Sequence, residues 1–397
     1  MNMCGLLSTP TEESVNPSSV PEIGPEELFR TVEAGDEVQI IDVRSPAKVA
    51  AGRIDNVPEG WFINIPGSTL LAASSLAESG IRPGVPSVVV CGHGNDSKVV
   101  ASHLNRLGAD TRSLSGGMTA WMMLSVPRLL KPTPSLDDLI QFDRVGKGAL
   151  SYLLISSGEA LIIDPPRDIR PHLDAIKKAN ARLVAVVDTH VHADFISGAS
   201  RIAREFGIPY YLHPEDAVYP YDMTPGHLDI STLRDGMTIP LGRCMIDVLH
   251  TPGHSPGSVT YRVDHAIAFT GDFLFITSIG RPDLAAKTEE WSELLWKSLQ
   301  SAKSTWPQDL VIYPAHYGSQ AERRGDGAIG GTLGDLMRRN ESLRKTAWPE
   351  FLTWVVQHEA SFPAEYKSIK AVNVGLLRVD DLEADDLEVG RNECALG

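Results

Sequence analysis

Four apolar runs in this chain end on residues that can bind a metal. Residues 183–187 lead into Asp188-Thr189-His190-Val191-His192-Ala193-Asp194, and residues 245–249 lead into His250-Thr251-Pro252-Gly253-His254. Residues 266–269 lead into Thr270-Gly271-Asp272, and residues 310–313 into Pro314-Ala315-His316. One histidine after a strand is usually structural. Four strand ends that offer imidazole or carboxylate predict a metal centre, because loops on a rigid scaffold are where ligands converge. His190, His192, His254 and Asp272 are the ligand candidates. Two His and one carboxylate with open positions suit non-haem Fe(II) and oxygen chemistry. Three His and a water suit zinc hydrolysis. Spacing alone leaves both open.

A second reactive group lies earlier. Residues 86–91 form an apolar run ending in Cys91, followed by Gly92-His93-Gly94-Asn95-Asp96-Ser97 and a helical pattern. A thiol at a helix amino terminus, among converging amide groups, is favoured as thiolate and can stabilise anions.

The elements that must position these groups fall into two textures. At 397 residues the chain is long enough for two or three domains. From residue 26 to about 126 strand and helix alternate: a helix over 26–34, buried strands over 38–43 and 86–91, then a helix with Val99, Val100, His103, Leu104 and Leu107 on one face. This predicts a small α/β domain with a parallel sheet. Residues 129–136, with Pro132 and Pro134, read as a linker. Beyond it strands come in runs, at 150–156, 160–164, 183–187, 209–212, 245–249, 259–263, 266–269 and 310–313. Helices are expected at 171–180, 197–206 and 288–304. Trp291, Leu294, Leu295 and Leu299 form a core stripe on the last. Two sheets sandwiched by helices are expected.

The set His190-x-His192-x-Asp194, Thr-Pro-Gly-His254, Gly-Asp272 and Pro-Ala-His316 resembles the metallo-β-lactamase superfamily signature, over about 138–317. The resemblance implies an αββα sandwich with metal at one edge. The usual motif continues with a second His after the Asp, where this chain has Phe195, so a second metal loses a ligand. Ile279-Gly280-Arg281-Pro282-Asp283 resembles the Gly-Arg-x-Asp segment of persulfide dioxygenases, and Asn392-Glu393-Cys394-Ala395-Leu396 resembles tails among related proteins. That likeness implies one Fe(II) per chain, held by His190, His254 and Asp272, with Arg281 in the glutathione-persulfide pocket. His192, Asp194, His316 and Tyr317 are expected around the ligands. Related proteins usually have Asp-Tyr after the last His, whereas this chain has Tyr317-Gly318. The implied reaction oxidises a low-molecular-weight persulfide with O2 to sulfite and thiol. The alternative is zinc-dependent thioester hydrolysis like that of glyoxalase II, and the family suggests a homodimer.

Asp42-Val43-Arg44, Asn64-Ile65-Pro66 and Leu114-Ser115-Gly116-Gly117-Met118-Thr119-Ala120-Trp121 resemble a rhodanese domain. The likeness implies that Cys91 is catalytic and carries sulfane sulfur. Rhodaneses commonly place Arg where this chain has Asp96, which should oppose an anionic donor unless Arg44 reaches the loop. The expected organisation is a disordered leader over 1–20, a rhodanese-like α/β domain over 21–128, the linker over 129–136, and a metal-binding domain with carboxy-terminal helices over 137–397.

A formal charge of −15 argues against nucleic acid and anionic membrane as partners. Asp380, Asp381, Glu383, Asp385, Asp386 and Glu388 are expected to form a solvated acidic terminus. Four scattered cysteines make no disulfide framework, which points to a reducing cytoplasm. No stretch approaches the ~20 apolar residues of a membrane span, and the first 25 residues lack the pattern of a secretory signal.

Overall fold

The computed structural model describes residues 20–396 except 55, 56, 59, 286 and 360; the expected leader lies almost wholly outside them. The chain divides into two compact units, Met1–Trp121 and Met122–Gly397.

The first unit carries five parallel strands in the order Glu22–Ile23, Thr111–Leu114, Ser87–Val90, Gln39–Asp42 and Phe62–Asn64. Its two central strands are buried at every residue, as parallel strands covered on both faces must be. Val100, Ala101 and Leu104 of the helix Asn95–Arg106 pack on Ile41 and Val89, so the core fixes the helix start just after Cys91.

The second unit holds a seven-stranded and a six-stranded sheet. The first runs from Ser231–Thr232 through Tyr210–Leu212, Arg182–Val187, Glu159–Ile163, Ala149–Ser156 and Asp138–Arg144 to Ser125–Leu129. The second runs from Thr238–Leu241 through Cys244–His250, Val259–Val263, Ile267–Gly271 and Val311–Pro314 to Gly331–Thr332. Alternate residues of Ala149–Ser156 face two cores. Leu150, Tyr152 and Leu154 meet Val248, Tyr261 and Phe269 between the sheets, while Leu153 and Ile155 meet Ile176 and Ile202 of the outer helices. The αββα sandwich is present, and the expected strands and helices recur within a residue or two of their bounds.

The boundary differs from expectation. Ser125–Leu129 pairs along its length with Asp138–Arg144 and forms the edge of the larger sheet. Leu130, Thr133 and Leu136 are buried, so the Pro-rich stretch is structured scaffold rather than a free linker. Pro127 fits an edge strand, where a missing donor costs least. No helix among the described residues is long and apolar enough to cross a membrane.

Candidate metal centre and cysteine loop

Strand direction gathers the chemistry. Glu159–Ile163, Arg182–Val187 and Tyr210–Leu212 are parallel, as are Ile267–Gly271 and Val311–Pro314. Their carboxyl ends present Asp164, the 188–194 loop, Asp272 and His316, and a bridge between Ala149 and His316 ties the two sheets.

Three ligand atoms meet there. His190 Nε2 and His254 Nε2 each lie 3.5 Å from Asp272 Oδ2. All three atoms are buried and make no hydrogen bond. Burying such atoms unpaired is costly, unless they share a cation. Two ligands ~2.1 Å from one ion at a tetrahedral angle stand ~3.4 Å apart, so the spacing fits a first-row dication.

The surrounding bonds aim these atoms. The hydroxyl of Thr189 donates to Asp164, at 2.9 Å from Oδ2, so the 3.0 Å contact between His190 Nδ1 and Thr189 Oγ1 requires the proton on Nδ1. His254 Nδ1 is 3.0 Å from the carbonyl of Arg281, which can only accept. Both rings therefore present a lone pair at Nε2. Gly280 makes this approach possible, since a Cβ there would lie 1.9 Å from the Asp272 carbonyl and 2.9 Å from His254 Nδ1. Protonation agrees. Burial lowers the pKa of His190, with His192 adding to it, and burial lowers His254 well below its ordinary value. Burial alone would raise Asp272, but His316 and His190 outweigh it and hold the carboxyl well below its usual range.

His192 is drawn elsewhere. Its Nε2 lies 3.2 Å from Asp164 Oδ1, and its ring stacks on Phe195 at 4.2 Å. Burial opposes a proton on His192, but Asp164 and other nearby carboxylates prevail and raise its pKa. His316 Nδ1 stands 2.6 Å from Asp272 Oδ1, leaving Oδ2 of that carboxylate for the cluster. Its Nε2 lies 3.0 Å from Asp194 Oδ2. Against the effect of burial, Asp194 and Asp272 push His316 up to about 10.

Three expectations change. Tyr317 donates to Asp143 at 3.0 Å and accepts from Arg323 at 2.6 Å, so it braces the scaffold and does not face the ligands. Arg281 is buried, its guanidinium already forked on Asp283 at 2.7 and 2.6 Å, and its Nη1 reaches the Glu393 carbonyl. A substrate carboxylate would have to compete with Asp283. Glu388 is not part of a solvated tail: it is buried and pairs with Arg144 at 2.8 Å and Arg167 at 2.7 Å.

Sequence reasoning did not place four residues at this edge. Lys370 is buried and donates to the Val191 carbonyl at 2.9 Å. Asn373 donates to the carbonyls of His192 and Phe195 and accepts from Ser197 N–H. Cys394 and Glu388 arrive from the chain end, more than seventy residues beyond the last strand of the site, Val311–Pro314. Beside the ligands opens a cleft of about 460 Å³, lined by Val191, Ser255, Trp291, Lys287, Lys370 and Glu290 among others.

In the first unit Cys91 is buried at its strand end. Its sulfur accepts from Gly94 N–H at 3.1 Å and touches Ser97 Oγ at 3.2 Å, which in turn meets Ser113 Oγ at 2.9 Å. Gly117 closes this loop from below: at φ +59° a Cβ would strike the Cys91 carbonyl at 2.5 Å and Gly94 N at 2.6 Å. Asp96 is exposed in the first turn of the helix. Arg44 does not reach it, being bound to Asp42 and to the Gly52 carbonyl.

These two constellations define the class: residues 144–316 match the metallo-β-lactamase superfamily, and residues 25–124 match the rhodanese-like domain. The chain belongs to the metallo-β-lactamase superfamily and carries a rhodanese-like domain ahead of the metal-binding one. The human mitochondrial persulfide dioxygenase ETHE1 is 35% identical over 170 residues, covering 42% of this chain and 63% of that protein, less than two thirds of its length. The probable metallo-hydrolase YqgX of Bacillus subtilis is 31% identical over 182 residues, covering 42% of this chain and 84% of that protein. Among solved structures, a metallo-β-lactamase from Staphylococcus aureus superposes with a TM-score of 0.53 at 27% identity, covering 61% of this chain and 74% of that one.

Proposed function

We propose that the metal-binding domain is a persulfide dioxygenase that uses one Fe(II) per chain to oxidise glutathione persulfide. The balanced reaction is R-S-SH + O2 + H2O → R-SH + H2SO3, the acid ionising to sulfite. The observation that carries this reading is the cluster itself: two neutral imidazoles and one carboxylate converge, while His192 turns to Asp164. That donor set, with positions left open, suits Fe(II) and oxygen. When bound, the iron supplies the one-electron chemistry that lets O2 react with a sulfur held beside it.

The protein's part is positioning. Thr189 and the Arg281 carbonyl lock the two imidazole tautomers, and His316 holds one oxygen of Asp272 so that the other faces the cluster. Arg281 acts as a positioning residue, fixing Asp283 and the chain end while its carbonyl aims His254. The cleft would take the thiol carrier. Lys287 and Lys370 suit the carboxylates of glutathione, and Glu215 and Glu290 suit its ammonium. Cys91 would carry sulfane sulfur, with Gly94 N–H stabilising the thiolate. Cys91, Cys244 and Cys394 are all unpaired, which supports a reducing compartment such as the cytoplasm.

The test compares two substrates on the iron-loaded and zinc-loaded protein. O2 uptake with glutathione persulfide should occur on iron alone, and glutathione thioesters should turn over poorly on either metal. Efficient thioester hydrolysis on zinc, without O2 uptake on iron, would replace this reading with the hydrolase one.

A further inference from the structure

The cleft beside the ligands has one wall with no role so far. In the sequence Trp291 belongs to a helical stripe with Leu294, Leu295 and Leu299, which reads as core. Leu295 and Leu299 do pack between the sheets, whereas Trp291, one turn earlier, is buried against the cleft and lines it. Its indole nitrogen is buried and meets no acceptor among the described residues. Indole N–H can only donate, and a buried donor without a partner is unfavourable. Asp216, a buried carboxylate of the same lining, already accepts from Val191 N–H, Ser255 Oγ and Gly257 N–H, and does not serve.

The indole is held in register with the ligands. The helix Thr288–Thr305 that carries it is clamped on the loop before His254. Ser298 Oγ donates to the Pro252 carbonyl at 2.8 Å. Gly253, at φ +147°, lies so close to the helix that a Cβ there would stand 2.3 Å from the Cβ of Leu295. One loop therefore fixes both His254 and, a turn before Leu295, Trp291. Lys370 lines the same cleft and uses one of its three N–H groups on the Val191 carbonyl at 2.9 Å. The cleft thus carries a neutral donor and a cationic one.

We infer that Trp291 determines specificity for the thiol carrier: its indole N–H donates to an amide carbonyl of the carrier, so the cleft selects peptide-like persulfides over persulfides that lack an amide. This rests on the reading of the cleft as the carrier's site. A carbonyl is the matching acceptor because the indole is neutral, while the ammonium of Lys370 suits an anionic group of the same molecule. Selection comes from the mismatched case. A carrier without a carbonyl covers the indole and leaves the donor unpaired, which is how a site built to form a hydrogen bond rejects an analogue that cannot form it.

The test compares Trp291→Phe with wild type on two persulfides, those of glutathione and of 3-mercaptopropionate, which keeps a carboxylate but has no amide. O2 uptake by the iron-loaded full chain should show kcat/KM for glutathione persulfide falling roughly three- to tenfold, through KM, with the other substrate unchanged. Equal losses on both substrates, or no loss on either, overturn the inference. Binding gives a readout that needs no turnover. In 1H–15N spectra of the zinc-loaded full chain, S-methylglutathione should move one of the seven indole N–H signals downfield, and 3-(methylthio)propionate should not. No indole shift, or the same shift with both ligands, overturns the inference, and these spectra decide alone if Trp291→Phe does not fold. Wild-type protein that binds S-methylglutathione with that shift but oxidises no persulfide would instead overturn the dioxygenase reading.

Discussion

The metal centre and the cysteine loop are built on the same plan, reactive groups at the carboxyl ends of strands, but they are determined to different degrees. Each ligand of the metal cluster has a dedicated partner: Thr189 for His190, a backbone carbonyl for His254, His316 for Asp272. Cys91 has one amide and one hydroxyl, and the nearby helix turn carries a carboxylate. The lesson is that buried polar atoms without partners point to a bound cation, while a satisfied thiol in a loop leaves its donor open.

The contrast is broken most completely at the ligands. His190→Ala, His254→Ala and Asp272→Ala should each abolish iron binding and O2 consumption, read by metal analysis and oxygen electrode. Cys91→Ser should leave iron content at the wild-type level and abolish any sulfur transfer to cyanide.

Next in size is the chain end that closes the metal-binding unit. Glu388→Ala leaves Arg144 unpaired in the interior, and breaking a buried pair on one side costs about 3–5 kcal/mol. Urea denaturation should show that loss, with no comparable effect from Asp381→Ala, whose side chain is fully exposed. Truncation sharpens the same point. A chain starting at Met122 keeps the edge strand Ser125–Leu129 and should retain iron, whereas one starting at Lys131 exposes Asp138–Arg144 and should aggregate.

How far the sequence reaches follows from this geometry. The convergence of His190, His254 and Asp272 was legible because each lies within four residues of the end of an apolar strand, so the sheets set where its loop emerges. The place of Cys91 at a strand end was legible for the same reason. The role of Arg281 was not, since nothing local shows that Asp283, two residues on, takes its guanidinium. The buried placement of Glu388 and Cys394 was not legible because their partners lie far away in sequence, and an acidic segment reads as solvated unless the arginines it pairs with are known. Strand Ser125–Leu129 was hidden by Pro127, which is tolerated only because that strand is an edge.

The smallest effect belongs to the cysteine loop. Asp96 meets an approaching thiosulfate with repulsion on the order of 1–4 kcal/mol at a partly exposed site, against roughly 0.3–1 kcal/mol of attraction from the helix end. Arg44 is committed to Asp42 and Gly52 and offers no relief. Wild-type thiosulfate turnover should therefore be poor. Asp96→Arg should raise kcat/KM at least tenfold, with a gain that shrinks as salt is added. Robust wild-type turnover that vanishes in Cys91→Ser would show that Asp96 does not govern donor choice.

The most direct test of the central claim is oxygen stoichiometry on protein purified anaerobically and loaded with Fe(II). One iron should bind per chain in the cluster of His190, His254 and Asp272, and each glutathione persulfide consumed should take up one O2 and yield one sulfite. Zinc held tightly in that cluster, with persulfide left unoxidised and no O2 taken up by the iron-loaded protein, would contradict it.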